Sequence, residues 1–185
     1  MATKRSAHVD DMQEVCAKMG LCLAMLHEIE DKFAKSILFG LNERDKRKGR
    51  PFKEVWASRD EMTFGRLVMI MKEKWNLNPE LEEFLETFVK ERNVFVHRLT
   101  SAKGFSLRSK RDRKRLEKRV DRFMELAFVA NRLFTSALYT SIDFTQDWLK
   151  KTRGIDAGVR FPAEVQERIA DFLELVDPKP VPDRR

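Results

Sequence analysis

Residues 10–39, DDMQEVCAKMGLCLAMLHEIEDKFAKSILF, decide the fold class. Met12, Val15, Met19, Cys22, Leu26, Ile29 and Phe33 recur at steps of three and four residues. That spacing draws one continuous apolar stripe along an α-helix, while strict alternation, the mark of a half-buried strand, is missing. The stretch therefore reads as a helix from about Asp10 to Phe39, stopped by Gly40 and Asn42.

The same pattern repeats downstream. Ser58-Arg59-Asp60-Glu61 has the form of a capping box, and the helix it predicts carries Met62, Leu67, Ile70 and Met71 and ends near Trp75-Asn76. Asn78 followed by Pro79 predicts a third helix, because the proline's missing N–H costs nothing at the first helical position. It extends to about Leu99, with Gly104 beyond its end. Ser109 caps a fourth, whose stripe is Leu116, Val120, Phe123, Ala127, Ala130, Phe134 and Leu138. A break is expected around Ser141 to Asp143, then a short helix containing Trp148 and Leu149. A last amphipathic helix from Pro162 to Val176 carries Val165, Ile169, Phe172 and Leu173. No strand pattern competes anywhere. These readings predict an all-α fold, a four-helix-bundle core with additional short C-terminal helices. Residues 1–185 form one domain in this reading, with the bundle over 8–150, an accessory amphipathic helix over 155–176 and a flexible tail over 177–185.

Composition agrees. The 185 residues are 42% hydrophobic and 36% charged, with only seven glycines and with fourteen phenylalanines to fill a core. No apolar run approaches the roughly 20 residues that span a bilayer, and no hydrophobic stretch follows the charged start closely enough to resemble a secretion signal. Cys16 and Cys22, six residues apart on one helix, are about 9 Å apart in rise, too far for a disulfide. Two reduced core thiols and a cytoplasmic location, away from any membrane, are the expectation.

The net charge of +7 is unevenly spread. Between Asn42 and Lys53, six cations (Arg44, Lys46, Arg47, Lys48, Arg50, Lys53) face two acids. Between Arg108 and Arg119, eight cations (Arg108, Lys110, Arg111, Arg113, Lys114, Arg115, Lys118, Arg119) also face two. Outside these runs the chain is slightly acidic. Concentrated positive charge attracts phosphate backbones by releasing their counterions, so both runs are candidate nucleic-acid-binding segments, although a lone basic run is more often only a solvated surface.

One position breaks the pattern. The buried face of the third helix should hold Leu81, Phe84, Leu85, Phe88, Phe95, Val96 and Leu99, and Arg92 falls in the middle of it. An unpaired guanidinium in an apolar seam costs several kcal/mol, so Arg92 needs a carboxylate such as Glu28 or Asp31, an anionic ligand, or a wet interface. Departures from local rules concentrate at functional sites.

The segment Glu91-Arg92-Asn93-Val94-Phe95-Val96-His97-Arg98 resembles the Arg-polar-x3–5-His signature of the HEPN domains. Arg92, Asn93 and His97 match that signature in type and spacing. The motif covers six residues, and the helical layout around it is compatible but generic. The resemblance implies a small helical bundle, usually dimeric, acting as a metal-independent ribonuclease of the kind found in toxin–antitoxin and anti-phage systems. It implies RNA as a partner, a homodimer, and an antitoxin protein as a further partner. Its chemistry is coherent. His97 can exchange a proton near neutrality, Arg92 offers a planar fork to phosphate oxygens, and Asn93 would orient His97 or the sugar. In a straight helix His97 points about 140° away from Arg92, so either the helix is distorted there or a second protomer completes the site.

Other features carry less. His27 and Asp31, four apart, have no third ligand at a suitable spacing, and His8 precedes the helix. Gly65 inside a helical pattern suggests close packing. No phosphate-cradling glycine loop, zinc cysteine pair or Ser-His-Asp pattern occurs, so neither a metal nor a cofactor is expected. The competing reading is a non-catalytic helical module that binds RNA or a protein.

Overall fold

A computed structural model describes residues 2–40, 63–99 and 109–178, with side chains over 12–37, 63–99 and 109–177. The described chain is overwhelmingly helical. Helix α1 spans Ala2–Gly40, α2 Phe64–Lys74, α3 Pro79–Asn93, α4 Lys110–Arg153 and α5 Ala163–Leu175. Strands β1, Trp75–Leu77, and β2, Val176–Pro178, are three residues each. The capping box at Ser58 and Glu61 lies outside the described residues. Thr63 is extended and its hydroxyl accepts the Arg66 N–H, so α2 starts at Phe64.

The chain divides into two compact units, to both of which α1, α3 and α4 contribute. Unit 1 comprises Met1–Ile29 and Glu86–Asn131. Its core holds Val15, Cys22, Leu26 and Ile29 from α1, Leu116, Val120, Phe123 and Ala127 from α4, and Phe88 from α3. The Phe123 ring stacks on Phe95 at 4.3 Å and 10° and on Phe88 at 6.1 Å and 15°. Lys18 bonds Glu117 and Asp121 at 3.2 Å each. Cys22 is buried, but Cys16 is exposed, contrary to the expectation of two core thiols. Six residues turn an α-helix by about 240°, which puts the two thiols on different faces.

Unit 2 comprises Glu30–Leu85 and Arg132–Arg185. Phe33, Phe64 and Phe134 form its aromatic centre, with ring separations of 4.2–5.7 Å. Burying each such ring contributes about 1.5–3 kcal/mol. Asn78 caps α3 as expected, its side-chain oxygen accepting the Glu80 and Leu81 N–H groups at 2.7 and 3.2 Å.

Two expectations give way. First, α4 does not break at Ser141 to Asp143 but runs unbroken to Arg153. The hydroxyls of Thr140, Ser141 and Thr145 donate back to the carbonyls of Ser136, Ala137 and Ser141 within the same helix, so they satisfy themselves without ending it. Gly154, in the left-handed region at φ 64°, stops it instead. Second, Asp177 and Pro178 are not a loose tail: β2 pairs antiparallel with β1, Leu77 opposite Val176 and Trp75 opposite Pro178. Trp75, 6% exposed, anchors this ribbon against Phe144 and Phe172. Residues 179–185 lie outside the described residues.

Among the described residues, no helix is long and apolar enough to cross a membrane. Gly65 lies in the first turn of α2, where an added Cβ would meet nothing within 4 Å, so close packing does not explain it.

Candidate functional site

The third helix changes character where the motif lies. After Asn93 the backbone passes into a π-helical turn, Val94–Arg98. Single π turns insert into α-helices at a local cost and recur at functional sites. Two features favour one here. Val94 and Val96 are β-branched and crowd an α-helical turn. Phe95 between them is buried, held flat against Phe123.

The consequence is geometric. A π turn bonds residue i to i+5, so side chains five apart come to lie one above the other instead of about 140° apart. Arg92 Nη1 reaches His97 Nε2 at 3.3 Å. The same Nη1 donates to Asn93 Oδ1 at 3.1 Å. All three motif residues are thus brought together within one chain, by a distorted helix end. Both contacts are on the exposed side.

Several readings of this face need correction. Arg92 is half-buried, with its guanidinium turned outward to Asn93 and His97, not sunk in the seam. Asn93 Oδ1 accepts from Arg92. Val96 is 37% exposed, because the wide turn rotates it out of the buried face, and Phe84 is half-buried.

The basic stretches are placed unequally. Arg44, Lys46, Arg47, Lys48, Arg50, Lys53 and Arg108 lie outside the described residues. Lys110, Arg111, Lys114, Arg115, Lys118 and Arg119 are exposed on the first turns of α4. Arg113 is only 7% exposed. It lies three residues before Leu116 and seven before Val120, on the buried stripe, so it does not belong to the cationic surface. Counting about 100° per residue from Phe123, Lys114 faces the opposite way, and Arg111 and Lys118 lie about 120–140° round. Arg119 and Arg115 lie only about 40° and 80° from Phe123, so the cations spread around α4. Phe123 faces the motif's helix, and Lys114, Arg111 and Lys118 face away from it.

Among the described residues of unit 1, Lys18 and Cys22 depart from their ordinary titration. Hydrogen bonds that its ammonium donates to Asp121 and Glu117 hold Lys18 above the usual lysine value. Burial, aided by the Asp121 charge, pushes the Cys22 thiol up, which keeps it protonated and unreactive. Among the described residues, no group of three or more His, Cys, Asp or Glu side chains could hold a metal ion. His27 is exposed.

The π turn and the support of Phe95 by Phe123 could not be read from the motif. The one signal was the conflict between the five-residue spacing and a straight helix. No family model, curated protein or solved structure matches the chain.

Proposed function

We propose that the chain is a metal-independent endoribonuclease of HEPN type, in which His97 moves the proton and Arg92 holds the phosphate. The observation that carries this reading is the cluster at the π turn, in which Arg92 Nη1 lies 3.1 Å from Asn93 Oδ1 and 3.3 Å from His97 Nε2 on an exposed face. An imidazole nitrogen beside a guanidinium fork is what RNA cleavage without metal needs. His97 Nε2 accepts the proton of a ribose 2′-OH, and the 2′-oxygen attacks the adjacent phosphorus. The bond to the 5′-oxygen breaks, the leaving oxygen takes a proton from water, and a 2′,3′-cyclic phosphate remains. His97 then returns its proton to solvent. Arg92 lies where charge builds on the phosphoryl oxygens. The exposed cations of α4 supply affinity for RNA that does not depend on sequence. A homodimer, a role as toxin or anti-phage effector and control by an antitoxin protein belong to the same proposal.

The alternative is a non-catalytic module that binds RNA. One observation favours it: Lys114, Arg111 and Lys118 point away from the side of α4 that meets the motif's helix. The deciding experiment incubates purified wild type and His97→Ala with mixed RNA in the presence of EDTA. Cleavage by wild type, reduced about 10²–10⁴-fold in the variant, is expected of the nuclease. Equal cleavage by both would refute the assigned chemistry, and salt-sensitive binding without cleavage would favour the module.

A further inference from the structure

The contact between Arg92 and His97 has a direction. A guanidinium carries only donors, so Arg92 Nη1 can approach His97 Nε2 at 3.3 Å favourably only if that nitrogen presents its lone pair. The ring proton then sits on Nδ1. Nη1 has two hydrogens, and the structure gives each a destination, His97 Nε2 and Asn93 Oδ1. Asn93 therefore occupies one hydrogen of the donor, and the other selects the ring's protonation.

We propose that Arg92 is a positioning residue for His97: it fixes the neutral imidazole as the Nδ1–H tautomer and caps Nε2 until an anion draws the guanidinium away. A phosphate oxygen accepts from a guanidinium more strongly than an imidazole nitrogen or an amide oxygen does, because both partners are then charged and the planar fork can hold two phosphate oxygens at once. Phosphate in the site therefore competes for Nη1. As Arg92 turns to it, Nε2 is uncovered, still carrying its lone pair. The base becomes available only where a phosphate is seated, and in the correct tautomer. The consequence for catalysis rests on the nuclease reading; the tautomer and its release by anions do not.

The test reads the ring directly. Long-range 1H–15N correlation distinguishes the two tautomers of a neutral histidine. His97 is identified among the three histidines by its loss in His97→Ala. In wild-type protein near pH 8, Nδ1 should carry the proton and Nε2 should not. Inorganic phosphate as the probe should shift the Nε2 signal to a saturating limit. In Arg92→Ala, the tautomers should mix, with Nε2–H rising, and phosphate should no longer move the signal. Asn93→Ala keeps the donor and should keep Nδ1–H, with the phosphate response reached at lower concentration. A wild-type ring protonated on Nε2, or one unmoved by phosphate, overturns the proposal without needing any variant to fold. RNA cleavage is scored separately: its absence beside the expected tautomer and phosphate response removes the nuclease reading and leaves this one standing.

Discussion

Replacing Phe123 by Leu tests whether the core of unit 1 builds the motif. The ring is 3% exposed and stacks on Phe95 at 4.3 Å and on Phe88 at 6.1 Å. An aromatic pair contributes about 0.5–1.5 kcal/mol beyond its buried area, and the closer stack should take the larger share. Leucine also leaves a shape mismatch of up to about 1.5 kcal/mol. Together these give a destabilisation of about 2 kcal/mol, or about 4–8 °C in Tm for a chain of this size. Urea denaturation measures the first and calorimetry the second. Phe33→Leu serves as the control. Its ring lies 4.2 Å from Phe134 and 5.3 Å from Phe64 in unit 2, so a comparable loss of stability is expected. The two variants should part company at the motif. Phe95 lies inside the π turn, so Phe123→Leu should release the contact between Arg92 and His97 and mix the ring tautomers, whereas Phe33→Leu should not. A Phe123→Leu protein destabilised by the expected amount yet keeping the wild-type His97 spectrum would refute the argument that this stack holds the turn.

Two further predictions concern stability alone. Gly20 is exposed in the middle of α1, and an added Cβ there would meet nothing within 4 Å. Gly20→Ala should therefore raise unfolding stability by about 0.5–1 kcal/mol in urea titration, and a loss would mean that this face of α1 is covered in solution. Lys18 concerns pH. Its value is raised in the folded protein by Asp121 and Glu117, so its contribution is complete below the ordinary lysine value of 10.5 and is lost as pH rises through the higher folded value. Stability measured from pH 9 upward should fall more steeply in wild type than in Lys18→Met; parallel curves would remove the ammonium from that account.

The helical class was legible because the apolar steps of three and four run through nearly every segment. Most failures came where a side chain finds a partner that periodicity does not record. Thr140, Ser141 and Thr145 read as a break, yet their hydroxyls bond carbonyls one turn back, and α4 continues. The ribbon of Trp75–Leu77 with Val176–Pro178 joins segments about a hundred residues apart, and three-residue strands are too short to show alternation. Arg113 was counted with its charged neighbours, although its spacing to Leu116 and Val120 already placed it on the buried stripe. At the motif, the residue types were legible and the geometry was not. The sequence posed the choice between a distorted helix and a second protomer, but the answer depends on Phe95 meeting Phe123, a contact between residues 28 positions apart.

The separation between Lys114 and the motif makes a last prediction that bears on both functional readings. Lys114 points about 180° from Phe123, and Phe123 meets the turn between Arg92 and His97. One phosphate therefore does not bridge Lys114 and Arg92 in the same protomer. Lys114→Ala should weaken RNA binding and reduce the slope of log affinity against log salt by about 0.7 for a single strand. Arg92→Ala should act on the chemical step. Residues that share no partner combine additively to within about 0.3–0.5 kcal/mol, so the double variant should lose the product of the two single factors in kcat/KM. Coupling well beyond that range would mean that both side chains contact one phosphate. Since a single chain turns them to opposite sides of α4, that phosphate would have to lie between two copies, with Lys114 from one and Arg92 from the other. Mixing Lys114→Ala with Arg92→Ala would then raise activity above that of either variant alone, whereas additive singles and a mixture no more active than its parts would assign each site to its own chain.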